Sequence, residues 1–297
     1  MRLTSARSTG LAPVLAVALL AAAASSSFGQ NNEHEWQKDY PLGGAASLTV
    51  QSGDSQLTIH SCGECKAIQV RVHSGRDLSR YVLEERQEGN HVFFSLKEKP
   101  HVGVVIHWTE KDATQVSIET PANLELDART SDGNLSVAGL TGNLKVHSSD
   151  GRVSLEDVHG ELRLTTSDGN VTVHNASGTI DARGSDGHMK VDGQFTAVNL
   201  HTSDGGLDFV LAAGSQLTAA SSIESSDGSV SVVVPRNLAA DLDISSHDGR
   251  INCILPITTD NYNSADSGGH HLHGHLNAGG VPLSIHTSDG NLNIASL

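Results

Sequence analysis

Histidine side chains are concentrated near the C-terminal end of the sequence, in the run Gly-Gly-His-His-Leu-His-Gly-His. Neutral imidazole is a common ligand of zinc, copper and nickel, and in an extended chain His271, His273 and His275 would share one side. Together with His270 they form a candidate metal site in a His-rich loop at residues 260–280. The alternative is a solvated surface loop, because no cysteine lies nearby to complete a ligand set. The sequence leaves both interpretations open.

Cysteine occurs three times, and two copies form a Cys-x-x-Cys motif at Cys62 and Cys65. Such a pair acts as a redox couple at a helix N-terminus in a βαβ unit, whereas here it joins two strand-like runs. We therefore expect a structural disulfide between Cys62 and Cys65, formed in an oxidising compartment. Cys253 falls between Ile251 and Leu255 at an inward register, which predicts a small apolar side chain packed in the interior.

A third group of potential ligands is a ladder of aspartates, one in each copy of Ser-Asp-Gly. Five copies recur every 18 residues without an insertion. Stacked carboxylates could bind calcium, whereas the simpler interpretation is that each Asp hydrogen-bonds its own turn and faces water. The Gly would supply positive φ at the corner. The predicted turn residues are Asp132, Gly133, Asp150, Gly151, Asp168, Gly169, Asp186, Gly187, Asp204 and Gly205.

Polar positions in the second half of each repeat change residue type from copy to copy. One column holds Lys145, Arg163, Asp181 and Asn199, which is typical of a solvated face with an Arg163–Asp181 pair across neighbouring repeats. Polysaccharide-acting enzymes place acids and bases on faces of this kind. The sequence contains no nucleophile elbow, zinc-protease helix or phosphate-binding loop. We predict no catalytic site and no bound cofactor, with a polysaccharide-acting enzyme as the third alternative.

The residues between the corners predict the elements that carry these side chains. Apolar and polar residues alternate after each corner, as in Leu-Ser-Val at residues 135–137, and again later in the repeat, as in Leu-Lys-Val at residues 144–146. A period of two predicts half-buried strands. Each repeat is therefore two short strands and two corners. We predict an all-β fold, a single-stranded parallel β-solenoid with rungs of about 18 residues; an antiparallel β-sandwich or meander is the alternative.

The first residues resemble an export signal rather than a folded element. Arg2 and Arg7 precede an apolar run at residues 11–24, and small residues follow it. We predict a signal peptide at residues 1–29 and a polar tail at residues 30–41. The apolar run is shorter than the roughly 20 residues that span a bilayer, so we expect no transmembrane anchor after cleavage. The predicted location is the periplasm, the cell surface or the extracellular space.

Charge and aromatic content exclude some classes of partner. The formal net charge is −15, and loss of Arg2 and Arg7 with the signal peptide makes the chain more acidic still. Nucleic-acid binding needs a basic surface, so we predict no nucleic-acid partner. Aromatic residues make up 3% of the chain, which argues against rows of stacking platforms for sugars or bases.

The repeat pattern divides the rest of the chain into two parts. Residues 42–119 are predicted to form an N-terminal β-rich part with degenerate repeats, which is typical of units that cap a stack. Residues 120–297 are predicted to form the regular solenoid. The spacing of Ser-Asp-Gly stretches towards the C-terminus, and residues 283–285 and 292–294 are predicted as the final strands that close the stack.

Residues 116–137 combine an entry strand, a proline corner at Pro121 and the first Ser-Asp-Gly repeat. This segment resembles the bacterial putative-adhesin family of exported β-solenoid proteins, a Ser-x-Gly repeat type of unknown function. A similar proline corner recurs at Pro235, so the resemblance covers most of the chain. It implies a β-solenoid and a suspected role in adhesion. The family has no established catalytic residues to transfer.

The sequence as a whole predicts an exported, non-enzymatic scaffold. Stacked strands would form a rigid rod, and the outward columns would present hydroxyl, amide and charged groups to a cell-surface or envelope protein or glycan. The oligomeric state cannot be predicted from the sequence. A metal-binding envelope protein that uses the His-rich loop is the main alternative.

Overall fold

A computed structural model of the chain describes residues 32–100, 113–259 and 270–297. The predicted signal peptide lies outside the described residues, as do residues 260–269 of the predicted His-rich loop. No helix in the described ranges has the length and apolar character needed to cross a membrane.

Almost all regular structure in the described ranges is β-strand. One turn of 3-10 helix spans Leu78–Arg80. The N-terminal strands are β1 (Glu35–Pro41), β2 (Ala46–Ser52), β3 (Gln56–Ser61), β4 (Ala67–Ser74), β5 (Tyr81–Glu88), β6 (His91–Glu98) and β7 (Thr114–Thr120). The central strands are β8 (Leu124–Thr130), β9 (Leu135–Ala138), β10 (Thr141–Ser148), β11 (Val153–Glu156), β12 (His159–Thr166), β13 (Val171–Gly184), β14 (Met189–Thr202) and β15 (Leu207–Leu211). The C-terminal strands are β16 (Ser221–Ser225), β17 (Val230–Val234), β18 (Ala240–Ser246), β19 (Ile251–Cys253), β20 (Ile257–Thr258), β21 (His271–Leu276), β22 (Val281–Thr287) and β23 (Leu292–Ser296).

The central strands form a parallel β-solenoid, as the sequence predicted. Leu144 of β10 pairs with Leu162 of β12, and Val153 of β11 pairs with Val171 of β13, so residues 18 positions apart are neighbours on adjacent rungs. Each rung has one strand before the Ser-Asp-Gly corner and one strand after it. We call the layer of strands before the corner sheet I and the layer after it sheet II. Strands β13 and β14 continue through the second corner and contribute to both sheets.

The interior between the two sheets is a continuous apolar column. Inward residues such as Leu155, Val173, Val191 and Phe209 are at most 1% exposed. Outward residues between them, such as Thr172, are partly exposed. Burying one aliphatic or aromatic side chain contributes roughly 1.5–3 kcal/mol, so the repeated pattern supplies the main favourable free energy of folding.

The Gly of each Ser-Asp-Gly corner is required for a reason that the sequence did not predict. None of these glycines has a φ in the left-handed region. Instead, adjacent corners stack so closely that a Cβ atom on Gly187 would lie 2.2 Å from the carbonyl oxygen of Gly169. The expected positive φ is found at the second corner, where Gly139, Asp157 and Asn175 have φ of 70°, 52° and 51°.

A buried column of hydroxyl groups runs beside the glycines. The residue two positions before each Asp is usually Ser or Thr, and its side chain is buried. Ser148 Oγ donates to the carbonyl of Gly151 at 3.1 Å, and Thr202 Oγ1 donates to the carbonyl of Ser185 at 3.0 Å. These bonds pair the buried hydroxyl groups with corner carbonyls, so the column of hydroxyls is hydrogen-bonded within the stack.

The N-terminal strands do not stack in chain order. The rung formed by β2 and β3 lies between the β8–β9 rung and the strands β6 and β7, which come later in the sequence than β3. The predicted N-terminal β-rich part therefore supplies rungs of the same solenoid.

The predicted polar tail at residues 30–41 is wrong for residues 35–41, which form β1. This strand pairs antiparallel with β4 and buries Tyr40, so it covers the edge of sheet II.

The C-terminal strands are also out of order. Strands β22 and β23 lie between the β16–β17 rung and the β18–β19 rung. The prediction that residues 283–285 and 292–294 close the stack is therefore wrong, because these strands fill an interior position. Strand β18 is instead followed outward by β21 and β20, which both pair antiparallel. The antiparallel strands end sheet I without continuing the solenoid.

Candidate binding surface

The outer side of sheet I carries an unbroken row of polar side chains, which we call the sheet I row. Strand pairing places each member beside the next one on the neighbouring rung, a spacing of about 4.8 Å. In stacking order the row consists of Thr49, Asp127, Lys145, Arg163, Asp181, Asn199, Ser222, Ser284 and Asp243. The predicted column of Lys145, Arg163, Asp181 and Asn199 therefore exists, and it extends further in both directions.

Two shallow grooves follow the sheet I row, each with a volume of about 210 Å³. The first lies around Lys145 and is also lined by Thr49, Glu125, Asp127 and Asn143. The second lies around Arg163, Asp181 and Asn199. Both are lined by side chains that donate and accept hydrogen bonds, and neither encloses its contents, so the face suits an extended polar ligand better than a small buried substrate.

Most of the positive charge on this face is neutralised along the strands. Arg129 forms two hydrogen bonds of 3.0 Å to Asp127, Arg163 pairs with Glu161, and Arg183 Nε lies 3.2 Å from Asp181 Oδ1. The expected Arg163–Asp181 pair is not formed, although strand pairing makes the two residues neighbours. Each of these guanidinium groups already pairs with an acidic side chain two positions away on the same strand.

The first groove contains polar groups that remain available. Lys145 is exposed and has no ion pair with any residue in the described ranges. Asn143 Oδ1 is a buried atom that lacks a hydrogen-bond partner among the described residues. A buried acceptor without a donor costs free energy, so a ligand that donates a hydrogen bond to this oxygen would be favoured. The two side chains offer one cationic donor and one acceptor in the same groove.

The candidate metal residues lie on a strand rather than in a loop. Strand β21 holds His271, His273 and His275 on its outward side, and the predicted loop at residues 260–280 is wrong for this segment. His271 Nε2 lies 3.4 Å from Asp243 Oδ1, and His275 Nδ1 lies 2.7 Å from Asp241 Oδ1. Within the described ranges, no three His, Cys, Asp or Glu side chains converge as metal ligands.

Local hydrogen bonds determine the charge of the carboxylate that faces His275. The backbone N–H of Gly280 donates to Asp241 Oδ1 at 3.0 Å. This bond, together with the hydrogen bond and the charge of His275, lowers the pKa of Asp241 from its ordinary value of 3.8. Asp241 is therefore held in the ionised form.

His270 differs from the other histidines, because its Nδ1 is buried and lacks a partner among the described residues.

The aspartate ladder follows one edge of the rod, as predicted. The N–H of Asp168 donates to the carbonyl of Ser149 at 3.0 Å, which places Asp150 and Asp168 on adjacent corners. The carboxylates at residues 132, 150, 168, 186 and 204 are all exposed. At the N-terminal end, burial and then the charges of Asp132 and Glu98 raise the pKa of Asp54. The ladder is thus a column of like charges in contact with water.

The cysteines lie far from the sheet I row. A disulfide joins Cys62 and Cys65, with 5.8 Å between their Cα atoms, and it closes the turn between β3 and β4. Cys253 is free and partly buried against the core, and burial raises the pKa of its thiol. A raised thiol pKa disfavours the thiolate that redox chemistry requires, so Cys253 is a poor candidate for such a role.

Sequence reasoning missed an apolar row on the outer side of sheet II. Val210 pairs with Val233, which pairs with Ala295, and Ile254 on the last rung is 67% exposed. The available signal was the run of consecutive valines at residues 232–234, which breaks the alternation expected of a strand with one polar side. This one row on sheet II therefore changes from polar at Asp192 to apolar from Val210 onwards.

The fold and the two outer faces define a class: a parallel β-solenoid that presents polar and apolar rows of side chains on its outer faces. Residues 46–295 match the family model of Toastrack DUF4097, so the chain belongs to this family. The predicted family resemblance is thereby confirmed. A search of curated proteins finds no match.

Several solved structures resemble this chain at low sequence identity. A putative lipid binding protein from Parabacteroides distasonis is 14% identical, with a TM-score of 0.50, over 90% of this chain and 98% of its own. A putative adhesin from Bacteroides fragilis is 11% identical, with a TM-score of 0.41, over 90% of this chain and 98% of its own. A putative adhesin from Parabacteroides merdae is 14% identical, with a TM-score of 0.34, over 90% of this chain and 97% of its own. At this identity the likeness to the Parabacteroides distasonis protein concerns the fold alone.

Proposed function

We propose that the protein is an exported, non-enzymatic scaffold that binds a cell-surface or envelope protein or glycan through the sheet I row. The observation that carries this proposal is the groove around Lys145. It combines an exposed cation and an unpartnered amide oxygen on one strand, at Lys145 and Asn143 of β10, with the hydroxyl of Thr49 on β2, and β8 lies between these two strands. Groups held on a rigid sheet lose little conformational entropy on binding.

Export is supported by two independent features. Arg2, Arg7 and the apolar run at residues 11–24 have the order of a secretory signal. The disulfide between Cys62 and Cys65 suits an oxidising compartment. N-terminal sequencing of the mature protein, together with cell fractionation, tests this part of the proposal. An intact Arg2 and Arg7 on protein recovered from the cytoplasm would contradict it.

The binding role is tested with a pair of charge reversals. Lys145→Glu changes the groove on sheet I, whereas Lys190→Glu changes an exposed lysine on the outer side of sheet II. Purified protein is incubated with isolated envelopes and with a glycan array, and bound protein is measured. We expect Lys145→Glu to reduce binding at least fivefold and Lys190→Glu to leave it within twofold. Equal losses would show that the sheet I row is not the binding surface.

The non-enzymatic assignment is supported by the charge pairing on the same face. The acids Glu161, Asp127 and Asp181 are each engaged by an arginine of their own strand, so these three carboxylates are held in ion pairs rather than poised as an acid and a base. Turnover on a panel of acidic and neutral polysaccharides would support the alternative enzyme.

Metal binding by the histidine strand is a second candidate. The carboxylates of Asp241 and Asp243 face His275 and His271, and such partners orient imidazole ligands in metal sites. Zinc, copper and nickel are the metals to test. Replacement of His270, His271, His273 and His275 by Ser should then abolish high-affinity binding by calorimetry, whereas His147→Ser on the sheet I side should not. Equal affinity of the quadruple variant would remove this candidate.

A further inference from the structure

Three asparagines in the sequence precede a hydroxyl residue by two positions, in the order Asn-x-Ser or Asn-x-Thr. They are Asn134, Asn170 and Asn175, and none has a proline at the middle position. This order is the acceptor motif for the transfer of a glycan to the asparagine side chain. Because so short a motif also arises by chance, the surroundings of each amide nitrogen decide which of the three can carry a sugar.

Two of the three side chains have the same arrangement. Asn134 Oδ1 accepts from the backbone N–H of Arg152 at 3.0 Å, and Asn170 Oδ1 accepts from the backbone N–H of His188 at 2.9 Å. A backbone N–H can only donate, so each contact identifies the amide oxygen and leaves Nδ2 on the other side. Both asparagines are exposed, and neither Nδ2 has a hydrogen-bond partner among the described residues. A sugar on Nδ2 therefore replaces no hydrogen bond of the described fold.

The third motif differs in its hydrogen bonds. Asn175 Nδ2 donates to Asp157 Oδ1, and the backbone N–H of Asn175 donates to Asp192 Oδ2 at 3.2 Å. Asn175 also lies at the second corner, with a φ of 51°. Its amide nitrogen is already engaged between two rungs. The structure thus separates two open acceptor amides from one that is occupied.

The two open asparagines also share a position in the repeat. Asn134 and Asn170 each follow a Ser-Asp-Gly corner directly, so an exposed aspartate lies two positions before them, at Asp132 and Asp168. An acidic residue at this position is the additional feature of acceptor sequences for bacterial oligosaccharyltransferases, in which a cation of the enzyme pairs with the carboxylate. The third motif has Val173 there instead. Local sequence and side-chain geometry therefore select the same two asparagines.

Both acceptors lie beside the outer side of sheet II. Ser136 and Thr172, the hydroxyl residues of the two motifs, pair with Ser154 from its two sides. Asn134 and Asn170 are therefore two rungs apart, about 10 Å at the usual strand spacing. Glycans at this separation would stand on one face of the rod and leave the sheet I row uncovered.

We propose that Asn134 and Asn170 are glycosylated during export, with a lipid-linked oligosaccharyl diphosphate as the donor. A bond forms between Nδ2 and C1 of the first sugar, the bond from C1 to the diphosphate oxygen breaks, and the displaced amide proton passes to water. The strands that carry Ser136 and Thr172 are paired on both sides in the fold. Transfer therefore takes place on the emerging chain, before the rungs stack. The proposal rests on the proposed export and not on binding by the sheet I row.

The test is mass spectrometry of the protein purified from the cells that produce it, as the intact chain and as peptides. We expect a glycan on Asn134 and on Asn170 and none on Asn175. Asn291 is a control within the chain, because it follows a Ser-Asp-Gly corner and its Oδ1 accepts from the backbone N–H of Arg250 at 3.0 Å, but the motif lacks its hydroxyl residue. It should be unmodified.

The same spectra distinguish a failure of export from a failure of glycosylation, because they also report the N-terminal residue. A processed chain that carries no glycan overturns the proposed glycosylation and leaves export standing. A chain that retains Arg2 and Arg7 and carries no glycan overturns both.

Three variants test whether the motif directs the transfer. Ser136→Ala keeps the asparagine and removes the hydroxyl, so occupancy at Asn134 should fall at least tenfold while Asn170 is unaffected. Asn293→Thr completes the motif after Asn291 and should create a third glycan there. Asn175→Gln is the matched control and should leave both glycans in place. A glycan that persists at Asn134 in Ser136→Ala, or the loss of both glycans in Asn175→Gln, overturns the assignment.

Discussion

A Cβ atom placed on Gly169 would lie 2.2 Å from the carbonyl oxygen of Gly151, one rung away in the stack. The same contact recurs between Gly187 and Gly169, so the backbone itself forms the contact surface at this corner. Backbone packing therefore accounts for the Gly of each Ser-Asp-Gly corner, whereas the Asp side chain beside it is exposed.

We expect Gly169→Ala to destabilise the protein by about 3 kcal/mol or more, because a methyl group cannot fit and the backbones of two rungs must separate. Urea denaturation measures the change. Gly53→Ala is the matched control, since the corresponding Cβ meets no atom within 4 Å and φ is not left-handed. It should cost less than about 0.5 kcal/mol. Similar losses in both variants would argue against close stacking as the cause.

The inward register is tested by two neighbouring substitutions on one strand. Val173 is fully buried, so Val173→Asp places a charge in the apolar column and should cost about 4 kcal/mol or more. Thr172 faces outward beside Lys190, so Thr172→Asp should change stability by less than about 1 kcal/mol. Thermal unfolding distinguishes them. If Thr172→Asp were the more damaging change, the two faces of the strand would have been assigned the wrong way round.

The interior position of the last strands predicts an unusual pattern of hydrogen exchange. Strand β23 is paired on both sides, with β17 and with β19, so its amides should exchange as slowly as those of β13 in the centre of the rod. Strand β20 pairs only with β21 in the described part of the chain and should exchange faster. Mass spectrometry resolves the two segments. Rapid exchange in β23 would indicate a frayed end and would contradict the inserted order.

A histidine that bridges two rungs predicts a dependence of stability on pH. His174 Nδ1 lies 2.9 Å from Asp192 Oδ1, and that hydrogen bond and charge raise the pKa of His174 above its ordinary 6.5. The stabilisation is complete below the unfolded pKa and is lost as pH rises through the higher folded pKa. Asp192→Asn should therefore lower the melting temperature more at pH 5 than at pH 8.

The same pair can be observed directly. The imidazole resonances of His174 should titrate at a higher pH in the unmodified protein than in Asp192→Asn. An unchanged titration midpoint would show that Asp192 does not hold the proton on His174. Because both side chains are on the surface, we expect the effect on stability to be small and to weaken with added salt.

The regular part of the fold could be predicted because one repeated sequence pattern specifies both the strands and the way in which they stack. Alternation as in Leu144, Lys145 and Val146 fixes which side chains enter the core, and constant spacing of Ser-Asp-Gly makes equivalent residues neighbours. The candidate surface was predicted in part. The position of the sheet I row followed from the same register. Its ion pairs did not, because Glu161 lies on the same strand as Arg163 and pairs with it in place of Asp181 on the neighbouring rung.

Sequence alone determined the rung: its length, its inward residues and the positions of its corners, because these depend on local periodicity. Tertiary structure decided the order of the rungs at both ends. The apolar pattern of β22 and β23 matches that of every other rung, so these strands could fit beside any of them. Only the long links and the strand edges left to be paired place them inside the stack.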